Sequence, residues 1–300
     1  MNNRNEIRAI CASLGCEFRE DVPLRDYTTF RIGGPAPFML FPATAKQAEE
    51  AVRALRGKIR LVVLGRGSNM LAADGALSFA VLHLGRQFSK IEVEGETMVC
   101  EAGATMAEAC RAALAHGLSG LEFSYGIPGS VGGGAYMNAG AYGGEYKDAV
   151  LWCEHIDEDG NPGRFSGEEL DYRYRHSAYS GKGYVITRVA FGLHRGDPAA
   201  IRARMDELME RRRSKQPLEF PSAGSTFKRP EGAYAAALIE QCGLKGARVG
   251  DAMVSEKHSG FIVNAGQATC ADVLALIEQV KRVVREQTGY ELEREVELFR

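Results

Sequence analysis

The glycine run from Gly126 to Gly144, GIPGSVGGGAYMNAGAYGG, is the feature that most constrains this chain. Glycine has no Cβ, so it tolerates positive φ and lets backbone N–H groups approach a ligand closely, as the cradling of a phosphate requires. A second cluster, Gly65 and Gly67 in LVVLGRGSNML, follows an apolar strand pattern. Neither cluster supplies the GxGxxG fingerprint of a Rossmann fold, since Met70 stands at the third glycine position of the second one. Either cluster alone would indicate a tight turn, but two of them, each with an Asn and a Ser, favour phosphate or flavin contact.

The bulk composition limits the function classes. The 300 residues are 45% hydrophobic and 25% charged, so the chain can bury a large core in two or three lobes. The net charge of −2, with both signs interspersed, argues against nucleic-acid binding. No apolar stretch approaches the ~20 residues of a membrane helix. The N-terminal MNNRNEIRAI lacks the apolar core of a signal peptide, so we expect a cytoplasmic protein.

The cysteines and histidines give no sign of a metal site. Seven cysteines, an odd number without a CxxC pair, predict buried thiols in a reducing compartment. The six histidines are scattered and form no HxxxH pair, so we expect no metal.

Alternating patterns predict a mixture of helices and strands. Two capping boxes, T-x-x-Q at Thr44 and T-x-x-E at Thr105, predict helix starts, and Asp197 with Pro198 predicts the start of a long charged helix and a domain boundary. Expected helices cover 44–57, 105–116, 197–213, 233–242 and 269–288. Expected strands cover 59–64, 79–84, 91–93, 98–101, 150–156, 184–193, 247–254, 260–263 and 291–299.

Eight motifs follow one another along the chain. They are TTFRIGG (Thr28–Gly34), LGRGSN (Leu64–Asn69), the glycine run, YRHS (Tyr174–Ser177), QPLEFPSAGSTFKRP (Gln216–Pro230), LIEQCGLKG (Leu238–Gly246), KHSGFIVN (Lys257–Asn264) and LEREV (Leu292–Val296). In this order they resemble the UDP-N-acetylenolpyruvoylglucosamine reductase (MurB) family of peptidoglycan synthesis. The resemblance covers the chain from about Thr28 to the C-terminus.

The resemblance implies an α+β fold with a two-lobed FAD-binding module of the vanillyl-alcohol-oxidase type (1–80 and 81–196) and a C-terminal α+β substrate-binding domain (197–300). It implies FAD held between two loops, without a covalent link because neither loop contains His or Cys, and NADPH as the hydride donor. The cofactor-binding residues it implies are Thr29, Gly65, Arg66, Gly67, Ser68, Asn69, Ile127, Pro128, Gly129, Ser130, Gly132, Gly133, Asn138 and Ala141.

The resemblance also implies a catalytic trio. Reduction of an enolpyruvyl ether builds negative charge on the substrate carboxylate, so a site needs a cation for that charge and an acid for the neighbouring carbon. Arg175 of YRHS matches the cation, with Arg173 as a competitor, because a guanidinium forks onto carboxylate oxygens. Ser225 matches the proton donor. Glu295 matches the catalytic glutamate by the register of LEREV, because strand periodicity alone places Glu293 on the same face.

Contacts to the substrate follow from motif position. Basic groups should meet the two phosphates of the UDP moiety, and the predicted substrate-binding residues are Tyr142, Lys215, Lys228, Arg229 and His258. Only a short stretch, Ala178–Lys182, follows YRHS, so the chain resembles the shorter type II branch, which lacks a long tyrosine-bearing lid.

The predicted function is NADPH-dependent, FAD-mediated reduction of UDP-N-acetylglucosamine enolpyruvate to UDP-N-acetylmuramate by a monomer that binds neither nucleic acid nor membrane. One alternative is another flavin oxidoreductase of the same fold that acts on a different small molecule. A second is a flavin- or nucleotide-binding module without catalysis. The C-terminal set of Ser225, Lys257–Asn264 and Glu295 argues against the first alternative. The simultaneous presence of Arg175, Ser225 and Glu295 argues against the second.

Overall fold

The computed structural model describes residues 3–300, which form a mixed α and β structure. The helices are α1 (Asn3–Ser13), α2 (Ala45–Leu55), α3 (Met106–Ala115), α4 (Val131–Tyr136), α5 (Pro198–Lys215), α6 (Ala235–Gln241) and α7 (Cys270–Thr288). The strands are β1 (Glu17–Pro23), β2 (Pro35–Phe41), β3 (Arg60–Leu64), β4 (Met70–Ala72), β5 (Phe79–His83), β6 (Ile91–Glu94), β7 (Thr97–Glu101), β8 (Leu118–Ser119), β9 (Gly140–Ala141), β10 (Gly144–Glu145), β11 (Val150–Ile156), β12 (Pro162–Ser166), β13 (Val185–Gly192), β14 (His194–Arg195), β15 (Arg248–Val249), β16 (Ala252–Val254), β17 (Ile262–Asn264) and β18 (Glu297–Phe299).

Helix starts follow the capping signals in the sequence. Thr44 accepts a hydrogen bond from Gln47 N at the start of α2, and Thr105 with Glu108 forms a complete capping box at α3. Thr269 and Asp272 do the same for α7, which ends at Gly289 in the left-handed conformation. These helices confirm the predictions at 44–57, 105–116 and 269–288.

The described chain divides into two compact units, and the first contains residues 3–20, Pro37–Arg66 and Ser78–Arg211. One sheet has the order β1-β2-β5-β3, in which β2 and β3 run parallel to β5. The other is antiparallel with the order β12-β11-β13-β7-β6. Helices α2, α3 and α4 contribute buried residues to the same apolar core as these strands.

The second unit contains Asp21–Ala36, Gly67–Leu77 and Arg212–Arg300. Its antiparallel sheet has the order β15-β16-β17, and β18 pairs in parallel with β4. Phe30, Ile32 and Leu71 are buried in one core with α6 and α7. Two short segments from the first third of the chain are therefore built into the C-terminal unit, while the boundaries at 80 and 196 stay predictions.

Several elements differ from the sequence predictions. The chain before residue 44 forms α1, β1 and β2, which the pattern did not predict, and the glycine run contains the short helix α4. The predicted strand 247–254 is split around Gly250, which has a φ of 53°. The last strand covers only Glu297–Phe299 instead of 291–299. Arg294 forms only an isolated bridge to Phe227, and continuous pairing, with β4, begins at Glu297.

The cysteines are free thiols, and five of the seven are buried (Cys11, Cys100, Cys110, Cys153 and Cys270). Burial raises the pKa of Cys100 and of Cys110 to about 12, so these thiols stay protonated. Within residues 3–300, no group of His, Cys, Asp and Glu side chains could hold a metal ion. In the same range, no helix is both long and apolar enough to span a bilayer.

Gly134 of α4 provides a test of the core packing. A Cβ at this position would lie 2.5 Å from Cζ of Tyr146, whose ring is 1% exposed, and 2.6 Å from Cε of Met106. We expect Gly134→Ala to lower the free energy of unfolding by roughly 1–3 kcal/mol, the usual cost of overpacking a rigid core. Urea unfolding followed by circular dichroism measures this change.

Gly133→Ala in the same helix is the matched control. Its Cβ would meet only Ser130 Oγ, at 3.3 Å, and alanine favours the helix by about 1 kcal/mol over glycine. Equal destabilisation by the two variants would contradict the packing explanation.

Candidate active site

In the first unit the two glycine clusters meet. A Cβ on Gly65 would overlap Ser130 Oγ, so only glycine allows the end of β3 to approach the glycine run. Ser130 caps α4, because its Oγ accepts a hydrogen bond from Gly133 N at 3.2 Å. The structure thus brings together predicted cofactor residues that are about sixty-five positions apart in the sequence.

The start of α4 is bonded to the segment before α3. Val131 N donates to Ala104 O at 2.7 Å, and Gly132 N donates to Ala102 O at 2.9 Å. Met106 N in turn donates to Gly129 O at 3.1 Å. These hydrogen bonds fix the glycine run against the rest of the unit, and they occupy the N–H of Gly132.

The LGRGSN loop leaves backbone donors for a ligand. Gly67 has a φ of 58°, and a Cβ there would overlap the carbonyl oxygen of Tyr27, so only glycine fits. In the part of the chain that the structure describes, the N–H groups of Arg66, Gly67 and Ser68 donate no hydrogen bond. Consecutive backbone N–H groups of this kind form the concavities that bind phosphate oxygens.

The second unit connects predicted cofactor residues to predicted catalytic ones. Thr29 N donates to Gly67 O at 3.3 Å, and Thr29 Oγ1 donates to the carbonyl of Ser222 at 2.7 Å. Asn69 contacts the C-terminal segment twice, because its Nδ2 donates to Glu295 O at 3.4 Å and its carbonyl accepts from Glu297 N at 3.0 Å.

Ser225 and Glu295 lie on adjacent backbone segments of that unit. Glu295 N donates to Thr226 O at 2.8 Å, and Lys228 N donates to Glu293 O at 2.9 Å. Thr226 is buried and held by Gly260 O and Ile262 N. Glu293 is exposed, whereas Glu295 is half-buried, which agrees with the register chosen for the catalytic glutamate.

Arg175 stands in a tight turn of the first unit. Its φ is 52°, its side chain is half-buried, and its guanidinium lies 5.1 Å from the ring centroid of Tyr174. Arg173 and His176 exchange two backbone hydrogen bonds around it, both at 3.1 Å. Arg173 is exposed and forms an ion pair with Asp171 at 2.8 Å. The side chain of Arg173 is therefore engaged in stabilising the turn. This favours Arg175 over Arg173 as the candidate cation for the substrate carboxylate.

Asn138 also contacts this turn, and it is bonded to Glu145 as well. Asn138 is fully buried and its Nδ2 donates to Glu145 Oε2 and to Arg173 O, although the sequence predicted a cofactor contact for it. Sequence reasoning missed Glu145 and Asp171, because an isolated acid in a loop carries no pattern that reveals its partner.

The predicted substrate-binding residues lie in both units. Tyr142 is 37% exposed at the tip of the β9–β10 hairpin in the first unit. In the second unit, Lys228 pairs with Glu293 at 3.3 Å, Arg229 covers the ring of Tyr234 at 4.6 Å, and Lys215 is exposed at the end of α5. His258 is half-buried with Nδ1 accepting from Gly260 N, and burial lowers its pKa.

Comparison with known proteins decides the family. Residues 216–299 match the family model described as the C-terminal domain of UDP-N-acetylenolpyruvoylglucosamine reductase, and residues 36–166 match that of an FAD binding domain. The reductase of Clostridium novyi is 45% identical over 94% of this chain and 92% of its own length. That of Caldanaerobacter subterraneus is 44% identical over 92% and 91%. The chain belongs to the UDP-N-acetylenolpyruvoylglucosamine reductase family.

Solved structures agree with this membership. The reductase of Thermus caldophilus has a TM-score of 0.82 and 38% identity over 95% of this chain and 99% of its own. A berberine bridge enzyme variant has a TM-score of 0.50 and 15% identity over 64% of this chain and 44% of its own, which shows the fold alone. The predicted fold class is thereby confirmed: α+β, with an FAD-binding module of the vanillyl-alcohol-oxidase type and a C-terminal α+β domain.

The residues of the two glycine loops fit the dinucleotide of this family. Both loops are rich in glycine, and in the described chain the N–H groups of Arg66, Gly67 and Ser68 donate no hydrogen bond, so they are available to anionic oxygens. The structure therefore offers backbone donors for the phosphate oxygens of a dinucleotide.

Replacement of Gly67 tests the role of this backbone geometry. We expect Gly67→Ala to weaken FAD binding at least tenfold, because alanine at positive φ costs about 1–2 kcal/mol and its Cβ must also push the Tyr27 carbonyl away. Titration of the apoprotein with FAD, followed by flavin fluorescence, measures the affinity.

Gly57→Ala is the control for strain without a clash. Gly57 has a φ of 69°, and a Cβ there would meet nothing within 4 Å. We expect it to reduce stability by about 1 kcal/mol and to leave FAD affinity unchanged. Wild-type affinity in Gly67→Ala would show that the loop does not need glycine for the cofactor.

Proposed function

We propose that the protein reduces the enolpyruvyl ether of UDP-N-acetylglucosamine to UDP-N-acetylmuramate, with NADPH as the hydride donor. Membership of the reductase family supports this assignment. The structural observation that carries it is the hydrogen bond from Glu295 N to Thr226 O, because it places the Ser225 and Glu295 segments side by side.

The chemistry has three requirements that the chain can meet. Bound FAD would supply the two-electron chemistry that joins NADPH oxidation to substrate reduction. The terminal CH2 carbon of the substrate first gains a hydride. Negative charge is then shared by the neighbouring carbon and the carboxylate until that carbon gains a proton. The protein must therefore hold the carboxylate, deliver the proton and bind the UDP group.

Arg175 is proposed to bind the carboxylate and to stabilise the enolate. Its guanidinium stays charged at every relevant pH and presents paired donors to two oxygens. The half-buried position reduces competition from water, and the Tyr174 ring at 5.1 Å supports the flat face of the cation. Lysine at this position would keep the charge and lose the paired geometry.

Ser225 is proposed to donate the proton, and Glu295 to assist from the adjacent segment. A serine hydroxyl is a weak acid, so it needs neighbours that stabilise its deprotonated form or return its proton. Gly224 has a φ of 77° and turns the chain immediately before Ser225, which sets the hydroxyl at a bend and not within a ladder. The buried Thr226 then fixes the following backbone.

Basic residues of the second unit are proposed to bind the UDP phosphates. Lys228 forms an ion pair with the exposed Glu293, and a surface ion pair of this kind is worth about 0–1 kcal/mol, so a phosphate can replace it. Arg229 and Lys215 add positive charge nearby in the sequence. Tyr142 and His258 complete the proposed substrate contacts. Burial lowers the pKa of His258, so its imidazole would contact the substrate in the neutral form.

The proposal includes the division of the chain into two cofactor-binding segments, 1–80 and 81–196, and a substrate-binding segment, 197–300. It also includes a monomer, since every proposed site residue comes from one chain, and a cytoplasmic location, where NADPH and nucleotide sugars are available. Sedimentation of the purified protein with and without substrate tests the monomer.

Turnover with defined substrates tests the function. Purified protein with FAD should oxidise NADPH when UDP-N-acetylglucosamine enolpyruvate is present, and mass spectrometry should find the saturated lactyl ether with two additional hydrogens. Oxygen consumption with another small molecule, without response to the UDP-sugar, would favour a different flavin oxidoreductase.

Ser225→Ala separates the two half-reactions. We expect flavin reduction by NADPH to stay within about twofold of wild type, while reduction of the enolpyruvyl substrate slows by roughly 10²–10⁴-fold, because general-acid catalysis contributes this much. Stopped-flow absorbance measures each rate separately.

Ser89→Ala is the matched serine control, because the Ser89 hydroxyl is half-buried and donates to a backbone carbonyl, that of Arg86. Both of its half-reactions should match wild type. A Ser225→Ala enzyme with normal turnover would remove Ser225 from the mechanism and leave the other assignments standing.

A further inference from the structure

Positive φ values are concentrated around Arg175. Six non-glycine residues have a positive φ in the described chain, and four of them are Asn138 at 44°, Tyr142 at 55°, Asp171 at 43° and Arg175 at 52°. Asn and Asp tolerate this conformation, whereas at Tyr142 and Arg175 it costs about 1–2 kcal/mol each, so the surrounding contacts must enforce it. Strain gathered in one place indicates a geometry that the site requires.

Asn138 enforces the geometry of two segments at once. Its Nδ2 donates to Glu145 Oε2 at 3.1 Å and to Arg173 O at 3.0 Å, and its Oδ1 accepts from Lys147 N at 2.9 Å. Both amide donors are therefore used inside the protein, and the side chain is 0% exposed. A ligand cannot reach this amide without displacing Glu145 or Arg173.

Glu145 links the Asn138 amide to the hairpin that presents Tyr142. Strands β9 and β10 pair Gly144 with Ala141 and Glu145 with Gly140, so Tyr142 and Gly143 form the two-residue turn, both with positive φ. Glu145 also pairs with Lys147 at 2.8 Å and accepts from the backbone of the following turn. The Lys147 contact does most to lower the pKa of the Glu145 carboxyl, and the charge of Arg175 contributes.

We propose that Asn138 is a positioning residue that joins the Tyr142 hairpin to the Arg173–His176 turn and so sets the place of Arg175 at the substrate. The inference rests on the proposed function, which gives Arg175 its role. It replaces the direct cofactor contact predicted for Asn138 by an action through Arg175.

Asn138→Asp tests the proposal with the least change in shape. Aspartate tolerates positive φ and still accepts from Lys147 N, but it presents oxygen to the Glu145 carboxylate and to Arg173 O. We expect the reduction of the UDP-sugar to slow about 10–100-fold, with flavin reduction by NADPH within about twofold of wild type and an unchanged flavin spectrum. Loss of FAD or slow flavin reduction in the folded variant would overturn the proposal.

Asn161→Asp is the matched control. Asn161 is exposed, and its Nδ2 also donates to a carboxylate, that of Asp157, at 3.2 Å, but in the β11–β12 turn. Both half-reactions should be normal. If Asn138→Asp does not fold, Glu145→Ala removes one acceptor and leaves the Arg173 bond, and it should slow the same half-reaction to a smaller extent.

A double-mutant cycle identifies action through Arg175. Asn138→Asp combined with Arg175→Ala should be no slower than Arg175→Ala alone, because the positioned group is already absent. Additive losses would overturn the positioning role. Asn138→Asp combined with Glu145→Gln should recover part of the rate, since the two substitutions exchange the amide and the carboxylate and so restore a donor opposite an acceptor.

Hydrogen exchange keeps this proposal separate from the proposed function. Asn138→Asp should increase deuterium uptake in residues 171–177, and Asn161→Asp should not. If wild type fails to turn over the UDP-sugar, the proposed function fails, while unchanged uptake in 171–177 would overturn the positioning role on its own.

Discussion

The pairing of β18 with β4 is the interaction on which the second unit depends. It places Glu297, Leu298 and Phe299 beside Met70, Leu71 and Ala72, so the last residues of the chain return to the LGRGSN loop. Leu71 is fully buried in the same core as α6 and α7, which stabilises the pairing by apolar burial. Through Asn69, the loop that offers backbone donors to a dinucleotide also holds the carbonyl of Glu295. The loop predicted to bind the cofactor and the segment that carries the proposed catalytic Glu295 are thus parts of one hydrogen-bonded assembly.

The first unit holds its predicted site residues by different interactions. Here the end of β3 and the glycine run approach each other through Gly65 and Ser130, and the Arg175 turn is held by buried polar groups. A buried amide such as that of Asn138 is costly unless its hydrogen bonds are formed, so the geometry that it holds is narrowly defined. The backbone of the Arg175 turn is consequently fixed by the buried Asn138 amide.

Much of this could be predicted from local signals. Capping boxes identified the starts of α2 and α3, because those hydrogen bonds form within four residues. The motif order identified the family and the fold class. The incorporation of residues 21–36 and 67–77 into the C-terminal unit could not be predicted, since it depends on burial of Phe30, Ile32 and Leu71 against residues more than 150 positions away. The hydrogen bonds of Asn138 to Glu145 and Arg173 could not be predicted either, because the three residues belong to no common motif.

Anaerobic absorbance spectroscopy of the purified protein tests the central claim most directly. The account predicts a yellow protein that NADPH bleaches and that regains its colour only when UDP-N-acetylglucosamine enolpyruvate is added, with one equivalent of UDP-N-acetylmuramate formed per flavin reoxidised. A protein that binds no flavin, or a reduced flavin that the UDP-enolpyruvyl sugar does not reoxidise, would contradict it.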